Sequence, residues 1–82
     1  MINLLKKPTI LKACGISKST LHNRINDGLF PPSISLGARA VAWPSNEVES
    51  LINAQISGKT LEEIKLLVKV LVEKRKEVGA AQ

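Results

Sequence analysis

The apolar and polar positions of the chain predict four helical segments and one alternating segment. A short first helix has Ile10, Leu11 and Cys14 on its apolar side, with Pro8 suited to its first turn and Gly15 to its end. Apolar residues recur at helical spacing in three later segments: residues 18–26, a segment that starts at residues 44–46 and ends at residues 57–59, and one that follows Thr60 and runs to about Lys76. Between the second and third helices, residues 33–43 alternate, which is typical of half-buried strands.

The second helix has the clearest boundaries. Ser17 is suited to cap it, because its hydroxyl can accept a hydrogen bond from an unpaired backbone amide. Asp27 and Gly28 form a stop signal, so the helix is predicted over residues 18–26. Leu21 and Ile25 are four residues apart and share the side that faces the core.

The opposite side of this second helix carries short hydrogen-bonding side chains and few acids. Asn can pair with adenine through two hydrogen bonds in the major groove, and Ser or Thr can bond to bases or phosphates. An ordinary solvated helix surface would have the same composition, and the helix alone does not separate the two interpretations. The candidate DNA-binding residues here are Ser17, Lys18, Ser19, Thr20, His22, Asn23, Arg24 and Asn26.

The alternating segment predicts a β-hairpin, called the wing below. Arg39 would project from its tip, where a guanidinium can contact a phosphate or enter a narrow minor groove. Its alternative role is that of a surface arginine that keeps the loop soluble. Four apolar residues of the wing are expected to share its buried face: Ile34, Leu36, Val41 and Trp43.

The third helix is expected to begin with Ser45 or Asn46 as its cap, and the fourth with a capping box of Thr60 and Glu63. The fourth helix has one broad apolar face, and Leu66 and Val70 add apolar residues on its other side, which is unusual in one small domain. It either closes the core or joins a second subunit through these two residues. The broad face contains Leu61, Ile64, Leu67, Val68, Leu71 and Val72.

The predicted fold is mainly α with a small β-hairpin, a winged helix-turn-helix followed by a C-terminal helix. The winged helix-turn-helix DNA-binding domain is expected at residues 1–58. The C-terminal helix, core-closing or dimerising, is expected at residues 59–82. A chain of 82 residues supports one small domain, which buries a limited core.

Composition narrows the partners. Twelve Lys and Arg against seven Asp and Glu give 12 − 7 = +5, a balance that favours a polyanion. Cys14 is the only cysteine and His22 the only histidine, so we expect a reduced cytoplasm and no zinc site. The sequence has no signal peptide, no transmembrane run and no paired catalytic groups. We therefore expect that the protein is not an enzyme and that it binds no metal, cofactor, membrane or small-molecule ligand.

Four blocks stand in a characteristic order, at residues 15–21, 27–31, 36–43 and 47–48. Together they resemble the AlpA-like phage and prophage regulators, small winged-helix proteins related to excisionases and to the DNA-binding domain of MerR-type regulators. The resemblance covers about residues 5–56. It implies DNA binding near an integrated element, either to activate an integrase or excision gene or as an architectural factor in excision. Two positions depart: His22 stands where the family often has an aromatic residue, and Leu51 where it often has Trp.

Two classes of function remain in competition. The first is a sequence-specific DNA-binding protein of a prophage or integrative element, acting on double-stranded DNA in the bacterial cytoplasm or nucleoid. It would serve as a transcriptional regulator, as an excision (recombination directionality) factor, or as both. The second is a protein-interaction module or adaptor that acts through its apolar C-terminal helix. DNA binding that weakens steeply with salt would favour the first.

Overall fold

A computed structural model describes residues 2–80, with side chains through residue 76. In this part of the chain, four helices surround a three-stranded antiparallel sheet, which confirms the predicted fold class. The elements in chain order are β1 (Leu4–Leu5), α1 (Lys7–Cys14), α2 (Lys18–Asn26), β2 (Ile34–Gly37), β3 (Ala40–Pro44), α3 (Ser45–Ile56) and α4 (Leu61–Ala80).

The helix-turn-helix has the predicted boundaries. Gly15 ends α1 in the left-handed region at φ 65°, a conformation that glycine adopts without a steric penalty. Ser17 caps α2, since its Oγ accepts a hydrogen bond from the Thr20 backbone N–H at 3.2 Å. Ile10 of α1 and Leu21 of α2 are fully buried in the core, and their burial fixes the two helices against the rest of the molecule.

β3 is the central strand of the sheet, and β1 pairs with it on the side away from β2. The strand β1 was not predicted from the sequence. Its neighbour Asn3 makes two hydrogen bonds to Ser45: the Asn3 N–H donates to Ser45 Oγ at 2.8 Å, and the Ser45 N–H donates to the Asn3 carbonyl at 2.7 Å. Because the Ser45 hydroxyl accepts this hydrogen bond from Asn3, α3 begins at Ser45 with Pro44 in the cap position and no side-chain cap. The prediction that Ser45 or Asn46 caps α3 is therefore wrong.

The apolar residues of the wing do not share one face as predicted, because β2 contains an irregularity in its register. Gly37 pairs with Ala40, but the next pair is Ser35 with Val41, so Leu36 is an extra residue in β2. A one-residue shift in register moves every following side chain to the other face. Ile34 consequently pairs with Ala42 instead of sharing a face with Val41 and Trp43, and Leu36 is 44% exposed. The single buried apolar face predicted for the wing is wrong for this reason.

The core is centred on Trp43, which is 1% exposed. Its indole Nε1 donates to the carbonyl of Pro31 at 2.9 Å, and the Phe30 ring meets it edge to face, with centroids 6.2 Å apart. The backbone from the end of α2 to the wing is thereby attached to β3. Val48 and Leu51 of α3 complete this part of the core.

α4 packs onto the same core through Ile64, Val68 and Leu71. Its capping box is confirmed: Thr60 Oγ1 accepts from the Glu63 N–H at 3.2 Å, and Glu63 Oε1 accepts from the Thr60 N–H at 3.1 Å. The helix runs to Ala80, beyond the predicted end near residue 76. Leu61, expected on the buried face, is 63% exposed because the whole corner at residues 55–63 lies outside the core.

Candidate nucleic-acid interface

A groove of about 570 Å³ lies between α2 and the wing. One wall is the polar side of α2, and the other consists of β3 and the segment that leads into β2. No acidic side chain lines it within the part of the chain that the structure describes. Its lining residues are Lys7, Lys18, Ser19, Leu21, His22, Asn23, Ile25, Pro32, Ser33, Val41 and Trp43.

Four candidate residues of α2 line this groove together: Lys18, Ser19, His22 and Asn23 are all exposed, and Asn26 continues the exposed side one turn later. Their spacing places them on one face, because residues three and four apart are neighbours on a helix. The arrangement presents an amide, a hydroxyl, an imidazole and an ammonium group on one surface. Such groups can donate and accept hydrogen bonds at base edges and phosphates.

Three further candidates on or beside α2 neither line the groove nor continue its exposed side, as Asn26 does. Ser17 and Thr20 bond to each other through their hydroxyls, with Oγ and Oγ1 2.9 Å apart, and Ser17 also caps the helix. Arg24 is half-buried on the side of α1, close to Cys14. Burial raises the pKa of the Cys14 thiol, and the nearby Arg24 charge offsets part of that rise. The raised pKa favours the protonated thiol, which is the less nucleophilic form.

Arg39 is exposed at the tip of the wing, apart from the groove. The preceding turn contains two residues with left-handed backbone, Gly37 at φ 105° and Ala38 at φ 45°. An alanine in this region costs on the order of 1 kcal/mol, so the tip holds a defined and slightly strained conformation. Arg39 therefore lies on a turn that is separate from the α2 surface, where its guanidinium forms a second site of positive charge.

Lys7 is a groove residue that the sequence did not identify as a site residue. It is half-buried in the first turn of α1 and lines the groove with Lys18 and His22. Local spacing gave no reason to separate it from Lys6 and Lys12, because only the packing of α1 beside α2 selects it. Its ammonium adds positive charge to the wall of the groove.

An ion pair at the base of the wing was also not predicted. Glu47 is 2% exposed, and Arg75 of α4 meets it with two hydrogen bonds, Nε to Oε2 at 2.8 Å and Nη2 to Oε1 at 2.6 Å. Arg75 Nη2 also donates to the Pro32 carbonyl at 2.9 Å. Glu47 resembles an ordinary acid in the first turn of a helix, and its partner lies 28 residues away. Local spacing therefore gives no signal for the pair.

Leu66 and Val70, the candidate dimerisation residues, are 61% and 48% exposed. They border a second groove of about 320 Å³ between the end of α3 and the first half of α4. Among the side chains that the structure describes, at residues 2–76, no group of three or more His, Cys, Asp or Glu could hold a metal ion. No described helix has the length and apolar composition needed to cross a membrane.

Residues 3–56 match the family of the prophage CP4-57 regulatory protein AlpA. This segment ends with the last residue of α3, so α4 lies outside it. Over 55 residues the chain is also 40% identical to the uncharacterized protein ORF88 of Enterobacteria phage P4. That match includes 67% of this chain and 62% of the phage protein, so the chain spans less than two thirds of its relative.

Proposed function

The chain belongs to the AlpA family of prophage regulatory proteins, and from that premise we propose that it binds specific sequences of double-stranded DNA in a prophage or integrative element. The observation that carries this proposal is the groove between α2 and the wing, whose α2 wall carries Lys18, Ser19, His22 and Asn23 and whose lining, within the described residues, contains no acidic side chain. A surface of this kind, on a protein with a net charge of +5, suits a polyanion that also presents hydrogen-bonding base edges.

In this proposal α2 enters the major groove, which is about 12 Å wide and admits one helix. Ser19, His22, Asn23 and Asn26 then face the base edges, and Asn23 at the middle of this exposed side reads an adenine. Lys18 and Lys7 line the groove of the protein between α2 and the wing, and in this proposal they contact phosphates of the DNA. Ser17, Thr20 and Arg24 contribute at the edge of this contact, and the hydroxyls of Ser17 and Thr20 also support the start of α2.

The wing makes the second contact. A hairpin cannot lie deep in the major groove while α2 occupies it, so its tip reaches the neighbouring backbone or minor groove. Arg39 suits that place because a guanidinium is always charged and is only weakly hydrated. This contact adds affinity, and α2 supplies most of the sequence preference.

The bound protein acts as a transcriptional regulator, as an excision factor, or as both, in the bacterial cytoplasm or nucleoid. Both roles need the same DNA contact, and neither requires a chemical step by this chain. Footprinting on the element that carries the gene separates them, because a regulator protects a promoter and an excision factor protects an attachment site.

The DNA contact itself is tested by titrating labelled duplexes at several salt concentrations. We expect log affinity to fall linearly with log salt, by about 0.9 in slope for each phosphate contacted. We also expect tighter binding to a duplex from the protected region than to a scrambled duplex of equal composition. Binding that is independent of salt, or equal for both duplexes, would reject a sequence-specific DNA-binding protein.

A second proposal concerns α4. The exposed Leu66 and Val70, beside a groove that contains Ala54 and Leu67, favour pairing of two copies of this chain into a homodimer. A dimer would present two α2 helices and would require two half-sites in the DNA. If the chain is instead an adaptor for another protein, the same surface carries that contact, and purified protein stays monomeric.

A further inference from the structure

We propose that Arg75 of α4 positions the wing for contact with DNA. A helix outside the family-matched segment would then control part of the DNA-binding surface. This inference rests on the proposed DNA-binding function and adds a residue that does not touch the DNA. It starts from the hydrogen bonds that hold the backbone just before the wing.

Pro31 and Pro32 connect the core to the wing. Proline has no backbone N–H, so the carbonyl is the only backbone group of each residue that can form a hydrogen bond. Both carbonyls are bonded to side chains: Trp43 Nε1 donates to Pro31 at 2.9 Å, and Arg75 Nη2 donates to Pro32 at 2.9 Å. The first donor belongs to the sheet, whereas the second comes from α4.

Arg75 is itself held in place by Glu47. The carboxylate takes both Nε and Nη2, at 2.8 and 2.6 Å, in the two-point geometry that orients a guanidinium. Glu47 lies in the first turn of α3, directly after the end of β3. Arg75 therefore joins the segment that leads into the hairpin with the segment that leaves it.

Both ends of the hairpin base are thus tied to one side chain. A shift of Pro32 would tilt the hairpin and move Arg39 relative to α2. Pro32 also lines the groove with Asn23, so the same shift would change the spacing between the two proposed DNA contacts. Arg75 is accordingly a positioning residue for the wing.

Removing Arg75 alone would leave a buried carboxylate without a partner, which can unfold a small domain. The main variant therefore replaces both partners, Glu47→Leu with Arg75→Met, so that no charge is stranded. Arg75→Lys is the second variant. Its ammonium can pair with Glu47 but ends one bond short of the Nη2 position, so it does not bond both Glu47 and Pro32. Lys74→Met is the control, since it replaces a basic side chain with Met, as Arg75→Met does, at an exposed position in the same turn.

The first measurement combines each variant with Arg39→Ala or Asn23→Ala and follows DNA affinity. We expect Arg39→Ala to weaken binding about tenfold in the wild-type background and about twofold or less in the double variant and in Arg75→Lys. Asn23→Ala should cost the same factor in every background. If Arg39→Ala costs an equal factor in all backgrounds, Arg75 does not position the wing.

The second measurement needs no DNA. We expect amide hydrogen exchange across residues 35–41 to be faster in the double variant and in Arg75→Lys, with exchange in α2 unchanged and Lys74→Met behaving as wild type. Wing exchange equal to that of the wild type would overturn the proposal. If the wild type binds no duplex, the proposed function fails, and this exchange measurement still decides the role of Arg75.

Discussion

Asn23 is exposed on the side of α2 that lines the groove between α2 and the wing, one turn from Ser19 and close to Asn26. We expect Asn23→Ala to weaken binding to the cognate site by about 1–3 kcal/mol, because one two-point base contact is lost. Affinity for scrambled DNA should be almost unchanged, since phosphate contacts remain. Competition titrations measure both values. Asn53→Ala, which removes an exposed amide from α3, is the matched control. An equal loss on both DNAs would show that Asn23 does not read a base.

Arg39 should behave differently, because it is proposed to contact the backbone or minor groove. We expect Arg39→Ala to weaken binding to cognate and scrambled duplexes alike and to lower the salt slope by about 0.9. Folding should be unaffected, since the side chain is exposed at a turn. Arg39→Lys separates two modes: a phosphate contact tolerates it, whereas minor-groove insertion does not, because an ammonium holds its water tightly. Unchanged affinity and slope in Arg39→Ala would place the second contact on Lys7 and its neighbours.

We expect the stability of the start of α4 to depend on pH. The backbone hydrogen bond from Thr60, with smaller contributions from its hydroxyl and from Lys59, lowers the pKa of Glu63. A lowered pKa in the folded state stabilises the fold above the ordinary pKa of a glutamate, and this stabilisation is lost as pH falls through the lowered value. We expect Glu63→Gln to remove this part of the acid dependence of unfolding. Chemical denaturation between neutral pH and pH about 3 measures it.

The control for this prediction is Glu62→Gln, which removes the neighbouring carboxylate from an exposed position. It should leave the Glu63 contribution in place, because Glu63 makes the capping-box hydrogen bonds. A pH profile for Glu63→Gln that matches the profile of Glu62→Gln would contradict the assignment.

The helices could be predicted closely because their signals are local. Ser17, Gly15 and the Thr60–Glu63 box each act within a few residues, and the structure has them as expected. The cap of α3 was predicted wrongly because Ser45 forms a hydrogen bond with Asn3, 42 residues away. The prediction for the buried face of the wing was wrong because Leu36 is an extra residue in β2. It changes which residues of β2 and β3 are paired, although the polar and apolar residues still alternate in the sequence.

The candidate site also has one part that local sequence patterns predict and another part that depends on tertiary contacts. Helical spacing alone places Ser19, His22 and Asn23 on one exposed face, so this wall of the groove could be predicted. Lys7 enters the groove only through the packing of α1, and Arg75 reaches the wing base only because α4 folds back over α3. Such contacts depend on tertiary structure, and no short sequence pattern encodes them.

The oligomeric state of the protein can be tested at Leu66 and Val70. We expect the wild type to sediment as a dimer and Leu66→Glu with Val70→Glu to sediment as a folded monomer, because a dimer interface would bury unpaired charges. Circular dichroism should be unchanged, since both side chains are about half exposed or more in one copy. Lys65→Glu changes charge at an exposed position of the same helix and serves as control. A wild type that sediments as a monomer at high concentration would remove the dimer.

The two neighbours of β3 lie at very different distances along the chain. β2 precedes it by one turn, whereas the contacts beside β1 join residues 42 apart. Closing a long loop is slower and costs more entropy than closing a hairpin, so we expect β1 to join the sheet late in folding and to leave it early in unfolding. Its departure uncovers the backbone of β3, and an open strand edge recruits strands from other chains. Aggregation during expression should therefore depend on where an affinity tag is fused, with a bulky N-terminal tag giving more insoluble protein than the same tag at the C-terminus.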